Sequence, residues 1–152
     1  VTGGFELALG CDFLYASEHA RFADTHVRVG ILPGWGLSQK LSRLIGLGRA
    51  KELSLSGNFV SAQDALRLGL VNKVCPADEL MTDTLAIAKQ IAESEPAMVT
   101  AYKSLIDDGY DSSFGKALKL EDERSTRWAQ EVDYSVMAER LAQLRTRASK
   151  QR

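Results

Sequence analysis

Apolar positions recur at helical spacing over most of the chain, and a few short apolar runs interrupt this pattern in its first half. A spacing of three or four residues indicates an amphipathic helix, whereas a short apolar run bounded by polar or turn residues indicates a buried strand. The pattern predicts strands at residues 13–15, 20–23 and 70–74. From Pro76 onward it predicts helices alone, and Pro96 suits the first turn of one of them.

Turn and capping residues divide the helical part into segments. A helix over residues 37–45 is expected to stop at Gly46 and Gly48, and a second, over residues 49–56, at Gly57. Ser61 followed by Asp64 resembles a capping box and predicts a helix that turns Ala62, Ala65 and Leu66 inward and ends at Gly69. The apolar positions assigned to these and the later helices are Leu37, Leu41, Leu44, Ile45, Ala62, Ala65, Leu66, Leu85, Ala88, Ile91, Ala92, Phe114, Ala117, Leu118, Met137, Leu141, Leu144 and Ala148.

Composition narrows the class of protein. The 152 residues carry a formal net charge of −1, which argues against a nucleic-acid partner because such partners need a clustered basic excess. Cys11 and Cys75 lie far apart without metal-ligand spacing, so free thiols of a reducing compartment are favoured over a disulfide, and no metal site is expected. No apolar run approaches the roughly 18 residues that a membrane span needs. The default expectation is a cytoplasmic protein without a membrane partner.

The first candidate site is the opening run, in which Gly3 and Gly4 precede Glu6. If a helix starts here, its first backbone N–H groups lack internal partners, and a ligand oxygen can approach a glycine closely. An oxyanion donor and an acid/base carboxylate within one turn form a plausible half of an active site. Close packing and a favourable helix dipole are the simpler explanation of the same residues.

His26 follows Asp24 by two positions, and in an extended segment both side chains face the same side, so Asp24 is a candidate to orient the imidazole.

Three segments, GGFELALGCDFLYAS, ARFADTHVRVGILPGWGLSQKL and GNFVSAQDALRLGLVNKV, together resemble the enoyl-CoA hydratase/isomerase (crotonase) family in order and spacing. The resemblance implies an α/β fold of the crotonase (ClpP/crotonase) type. Residues 1–75 would form the second part of its spiral ββα core, and residues 76–152 an all-helical C-terminal region for oligomerisation and active-site cover. The tail resembles the family only loosely: Asp133 and Arg145 fit its ending, while Val136, Met137 and Leu141 do not.

The resemblance also implies roles for residues. Gly3 matches the residue that donates a backbone N–H to the thioester oxygen, and Glu6 matches one of two acid/base carboxylates. His26 stands where the family has the second carboxylate. The turn containing Pro33, Gly34 and Trp35 precedes a helix that lines the acyl-CoA site, and Trp35 is equally well explained as a core or interface aromatic. The predicted site therefore comprises Glu6, His26 and Gly3 as catalytic residues and Gly3, Gly4, Pro33, Gly34 and Trp35 as substrate-binding residues.

The first hypothesis is an enoyl-CoA hydratase that adds water across the 2,3 double bond, with coenzyme A as part of the substrate and no separate cofactor. Two alternatives stay open: an enoyl-CoA isomerase, and a weakly active or inactive acyl-CoA-binding assembly subunit. Family isomerases with one carboxylate tend to keep it at the position of His26, which ranks the isomerase lower. The family's second oxyanion donor comes from an upstream Ala-Gly-x-Asp segment that is not present here, so the expectation is a fragment or split-gene product. Trimers or dimers of trimers are expected from the resemblance.

Overall fold

The computed structural model describes residues 1–132, 136, 137, 140 and 141, and the chain separates into two compact units, residues 1–90 and 91–152. In chain order the elements are α1 (Gly3–Ala8), β1 (Tyr15–Ser17), β2 (Arg21–Phe22), α2 (His26–Val29), α3 (Leu37–Ile45), α4 (Leu47–Ser56), β3 (Val60–Ser61), α5 (Ala62–Leu68), β4 (Lys73–Cys75), α6 (Leu80–Ala92), α7 (Pro96–Tyr110) and α8 (Phe114–Glu131). The functional division predicted at residue 75 stays a prediction.

Two small two-stranded sheets join distant parts of the first unit. β1 pairs with β4 in parallel, with Ala16 opposite Val74, and β2 pairs with β3 antiparallel, with Phe22 opposite Val60. The strand predicted at residues 13–15 is wrong in its placement, because β1 starts at Tyr15 and the Phe13 ring is partly solvent-exposed. The strand predicted at residues 70–74 is likewise displaced toward Cys75, while β2 lies inside the predicted 20–23 segment.

The core of the first unit lies between α1, α3, α4 and α5. Leu37, Leu41 and Ile45 form the buried stripe of α3 at the spacing of one helix face, and they pack in one cluster with Phe5 of α1. Leu53 of α4 belongs to the same cluster. The prediction that Leu66 turns inward with Ala62 and Ala65 is wrong for Leu66, which is 38% exposed, while both alanines are buried. The core thus ties the beginning of the chain, where Glu6 lies, to the start of α3.

Local chemistry explains where the helices of this unit begin and end. The Ser61 hydroxyl accepts a hydrogen bond from the Asp64 N–H at 3.1 Å, which confirms the predicted cap of α5. Gly57 ends α4 with a positive φ of 64°, and its missing Cβ leaves room for Arg28, whose Nε donates to the Ser56 carbonyl at 2.8 Å. Gly48 does not stop a helix as predicted: α3 ends at Ile45 with Gly46 as its C-cap residue, and Gly48 lies inside α4. The contact through Arg28 ties α2 to the end of α4.

Helices alone follow β4 in the described residues, as the sequence pattern predicts. Pro96 starts α7, where its missing N–H costs no helical hydrogen bond. In the second unit, α7 packs against α8, and Arg124 of α8 forms an ion pair with Asp108 of α7 at 2.6 Å. No side chain of α7 or α8 is buried. Their exposed apolar residues include Tyr102, Ile106, Tyr110, Phe114 and Leu118. Among the apolar positions predicted for the last helix, Leu144 and Ala148 lie outside the described residues, as do Asp133 and Arg145 of the predicted ending.

Candidate active site

Three charged or titratable side chains are buried together in the first unit: Glu6, Asp24 and His26, each no more than 6% exposed. Within the described part of the chain they are the only buried residues of polar or charged type. Burial of such groups is costly unless they are paired, so a cluster of three in a small core requires an explanation. We refer to Glu6, Asp24 and His26 as the acid–base cluster.

Glu6 lies in the first turn of α1 and uses its two carboxylate oxygens differently. Oε1 accepts a hydrogen bond from the Trp35 backbone N–H at 2.9 Å and a longer one from the Leu37 N–H at 3.5 Å. Oε2 lies 3.7 Å from Nε2 of His26. One oxygen therefore holds the backbone at the start of α3, while the other faces the imidazole.

His26 is fixed from its other side by Asp24. Asp24 Oδ1 lies 2.6 Å from Nδ1 of His26 and also accepts the His26 backbone N–H at 3.2 Å. A carboxylate that accepts from the backbone two residues onward forms an Asx turn, and this turn leads directly into α2. The predicted contact between Asp24 and His26 is therefore present, but its reason is a turn: the intervening Thr25 has a ψ of 8°, which is not extended.

The hydrogen bonds around Asp24 determine its charge. Burial alone raises the pKa of Asp24, but hydrogen bonds from the His26 side chain, Ser54 and the His26 backbone together hold that pKa below its usual value. At neutral pH the carboxyl group is ionised and can only accept hydrogen bonds. Nδ1 of His26 must therefore carry a hydrogen, which leaves Nε2 as the nitrogen that faces Glu6.

Thr2 joins the start of α1 to the segment that carries Asp24 and His26. Its N–H donates to the Ala23 carbonyl at 3.0 Å, its carbonyl accepts from the Glu6 N–H at 2.9 Å, and its hydroxyl is hydrogen-bonded to that of Thr25. Thr2 has a φ of 49°, which is unfavourable for a β-branched residue. Such strain persists only where surrounding contacts impose it. Here those contacts fix Glu6 opposite His26.

Gly3 begins α1, and among the described residues none accepts a hydrogen bond from its N–H. The ring of Trp35 lies 3.6 Å from the position that a Cβ of Gly3 would occupy, so the absence of a side chain here keeps the backbone accessible beside the ring. Trp35 itself is 64% exposed. The structure thus places two of the predicted substrate-binding residues against each other, next to Glu6.

The remaining predicted substrate-binding residues are less closely tied to the cluster. Gly4 is an exposed residue of α1, and Pro33 and Gly34 lie in the loop between α2 and α3. This loop exposes large apolar side chains, with Ile31 57% and Leu32 90% exposed. The loop therefore offers apolar surface beside the acid–base cluster, although no described hydrogen bond joins Pro33 or Gly34 to it.

Two residues of the site escaped the sequence analysis. Thr2 cannot be identified from a single sequence, because a threonine does not predict a positive φ. Ser54 lies in the middle of a helical pattern, and its interaction with Asp24 depends on the packing of α4.

No three His, Cys, Asp or Glu side chains of the described residues are arranged to hold a metal ion. None of the described helices has the length and apolarity to cross a membrane.

Comparison with known proteins gives one consistent result. Residues 1–142 match the family model described as enoyl-CoA hydratase/isomerase. The chain is 50% identical over 125 residues to a probable peroxisomal enoyl-CoA hydratase of Arabidopsis thaliana, covering 82% of this chain and 47% of that protein. It is 43% identical over 121 residues to a short-chain-enoyl-CoA hydratase of Clostridium acetobutylicum, covering 80% and 46%. The chain spans about half the length of these relatives.

Solved structures agree with the sequence comparison. An enoyl-CoA hydratase of Bacillus anthracis superposes with a TM-score of 0.80 at 40% identity, over 82% of this chain and 48% of that one. A Geobacillus kaustophilus structure described as an enoyl-CoA hydratase subunit superposes with a TM-score of 0.84 at 35% identity, over 93% and 56%. The crotonase-type fold expected for the first unit is thereby supported. The detailed spiral, the cytoplasmic location, the absence of a separate cofactor and the assembly state stay predictions.

Proposed function

Because the chain belongs to the enoyl-CoA hydratase/isomerase family, we propose that its protein adds water across the 2,3 double bond of an enoyl-CoA thioester. The observation that carries the proposal is the burial of Glu6 and His26 side by side, with Oε2 and Nε2 3.7 Å apart. A carboxylate and an imidazole at this separation can both contact one water molecule at ordinary hydrogen-bond distance. That is the arrangement an acid–base addition of water requires.

In the proposed reaction Glu6 acts as the base. Oε2 accepts a proton from water as the water oxygen forms a bond to C3, and the imidazolium form of His26 delivers its own Nε2 proton to C2. The O–H bond of water, the Nε2–H bond and the π bond between C2 and C3 break, while the C3–O, C2–H and Oε2–H bonds form. Transfer of the proton from Glu6 to His26 then restores both residues. The pairing of Oε1 with backbone N–H groups leaves Oε2 as the reactive oxygen.

The thioester carbonyl needs a partner for the negative charge that develops on its oxygen. The Gly3 N–H is the proposed donor, since it has no described acceptor and lies beside the exposed ring of Trp35. One such donor is typically worth about 3 kcal/mol of transition-state stabilisation. The apolar side chains of Ile31, Leu32 and Trp35 provide proposed contacts for the acyl chain. An acyl-CoA thioester is thus the proposed substrate.

Assembly into trimers or dimers of trimers belongs to the proposal. The exposed apolar residues Tyr102, Ile106 and Tyr110 recur every four residues on α7, which favours burial against another surface.

The test is hydration of crotonyl-CoA by the full-length protein, followed as loss of the enoyl-thioester absorbance. Glu6→Gln is expected to lower kcat by roughly 10²- to 10⁴-fold, and His26→Ala by a similar order, as for other general acid–base groups. The chain provides a matched control, because His19 and Glu18 also lie 3.7 Å apart but are 78% and 49% exposed at their side chains. His19→Ala and Glu18→Gln should leave turnover unchanged.

Three outcomes count against parts of the proposal. Full turnover in Glu6→Gln or His26→Ala contradicts the site assignment. Conversion of a 3-enoyl to a 2-enoyl thioester without hydration identifies an isomerase. Binding of acyl-CoA without any turnover by the wild-type protein identifies a non-catalytic subunit.

A further inference from the structure

Asp24 is the one member of the acid–base cluster to which the proposed reaction gives no proton. It is nevertheless only 3% exposed. Its Oδ1 accepts hydrogen bonds from two nitrogens of His26, Nδ1 at 2.6 Å and the backbone N–H at 3.2 Å. Its interaction with the Ser54 side chain of α4 further lowers the pKa of the carboxyl group. A buried carboxylate with this number of donors is ionised and held in one orientation.

The ionised carboxylate constrains the imidazole chemically. Since it can only accept, the hydrogen of a neutral His26 resides on Nδ1, and Nε2 presents its lone pair toward Glu6. When Nε2 takes up a proton, the positive charge of the ring lies between Asp24 and Glu6. Asp24 can therefore determine which nitrogen of His26 exchanges protons, although Asp24 itself does not contact the substrate.

We propose that Asp24 is a positioning residue that acts through His26: it holds hydrogen on Nδ1, aims Nε2 at the space beside Glu6 Oε2, and balances the charge of the protonated ring. The inference rests on the proposed function, in which His26 delivers a proton to C2. In that step the Nε2–H bond breaks, the C2–H bond forms, and His26 is left as the neutral Nδ1–H tautomer that Asp24 holds.

The test uses Asp24→Asn in the full-length protein, because asparagine keeps the size and the carbonyl acceptor but removes the charge. Its amide can also turn an N–H toward Nδ1, which selects the opposite tautomer. Asp24→Asn is expected to lower kcat at least tenfold with little change in KM. In the His26→Ala background the same change should lower kcat less than twofold, since residues that act as one unit are not additive. Asp64→Asn is the matched control, because Asp64 is an exposed carboxylate of α5.

Nitrogen-15 NMR of the imidazole gives a readout that does not depend on turnover. The His26 signals, identified by their loss in His26→Ala, should report a protonated Nδ1 in the wild-type protein and a changed tautomer in Asp24→Asn. A wild-type Nε2–H tautomer, or an unchanged tautomer together with unchanged kcat in Asp24→Asn, overturns the inference. Absence of wild-type hydration is a different failure: it removes the proposed function, while the NMR result still decides whether Asp24 sets the tautomer.

Discussion

Glu6 has a structural role beside its proposed chemical one, and the two can be separated by substitution. Its Oε1 accepts the backbone N–H groups of Trp35 and Leu37, and α3 begins at Leu37. The N-cap residue of α3, Gly36, has no side chain to supply a cap. Glu6 therefore caps α3 from a distant part of the chain, and its negative charge lies near the positive end of that helix.

The magnitudes follow from these contacts. The 2.9 Å bond to the Trp35 N–H joins a donor to a charged acceptor, a class worth about 1.5–3 kcal/mol, while the 3.5 Å contact with Leu37 is at the limit of a hydrogen bond. The charge at the helix start adds about 0.3–1 kcal/mol. Glu6→Ala removes all of these and leaves the part-buried Trp35 N–H without its acceptor, so it should lower the free energy of unfolding by about 3 kcal/mol. Glu6→Gln keeps the carbonyl acceptor and should cost about 1 kcal/mol.

The assay combines urea denaturation at fixed protein concentration with the hydration assay. Both variants are expected to lose turnover, but only Glu6→Ala should show a large drop in the urea midpoint. Far-ultraviolet circular dichroism before denaturation checks that each variant is folded. Equal stability of Glu6→Ala and the wild-type protein, or a Glu6→Gln variant as unstable as Glu6→Ala, refutes the argument that Oε1 anchors α3.

Two further predictions concern residues that hold the cluster. At Thr2, glycine should be more stable than alanine by about 1 kcal/mol in urea denaturation, the reverse of the usual order, because only glycine adopts a φ of 49° freely; an equal or more stable Thr2→Ala contradicts the strain. For Asp24, the folded-state pKa lies below the unfolded value, so its stabilising effect is present above about pH 4 and is lost as pH falls through the folded-state pKa. The stability difference between the wild-type protein and Asp24→Asn should shrink on acidification from about pH 5 downward, and a difference that grows is the contrary result.

The elements that the sequence predicts well are those whose signals are local. Leu37, Leu41 and Ile45 repeat at helical spacing, and the structure buries all three on one face of α3. Ser61 and Asp64 cap α5 through atoms three residues apart, so their identity and spacing suffice. Pro96 starts α7 for an equally local reason.

The elements that the sequence misplaces depend on partners far along the chain. β1 starts at Tyr15 because its register is set by β4, some sixty residues later, and not by the apolar run that begins at Phe13. The attachment of Glu6 to α3 involves backbone N–H groups, which every residue except proline carries, so no residue pattern reveals it. The short helix α2 follows from the Asx turn at Asp24, a turn that the extended interpretation of residues 24–26 overlooked.

Asp24 offers a physical explanation for the histidine at position 26. The resemblance to the family implies two carboxylates for the acid–base work, and this chain has an imidazole where the second is expected. The cluster still contains a second carboxylate, because Asp24 Oδ1 lies 2.6 Å from Nδ1 of His26. In the proposed reaction His26 starts as the imidazolium, so Glu6, Asp24 and His26 together carry one net negative charge, the same as a pair of glutamates of which one is protonated. In the proposed reaction the imidazole lies between the two carboxylates, and Nε2 carries the exchangeable proton that a carboxylate oxygen would otherwise carry. If the proposed hydration is correct, the histidine at position 26 changes which group carries the proton and keeps the net charge of the cluster at that of a half-protonated glutamate pair.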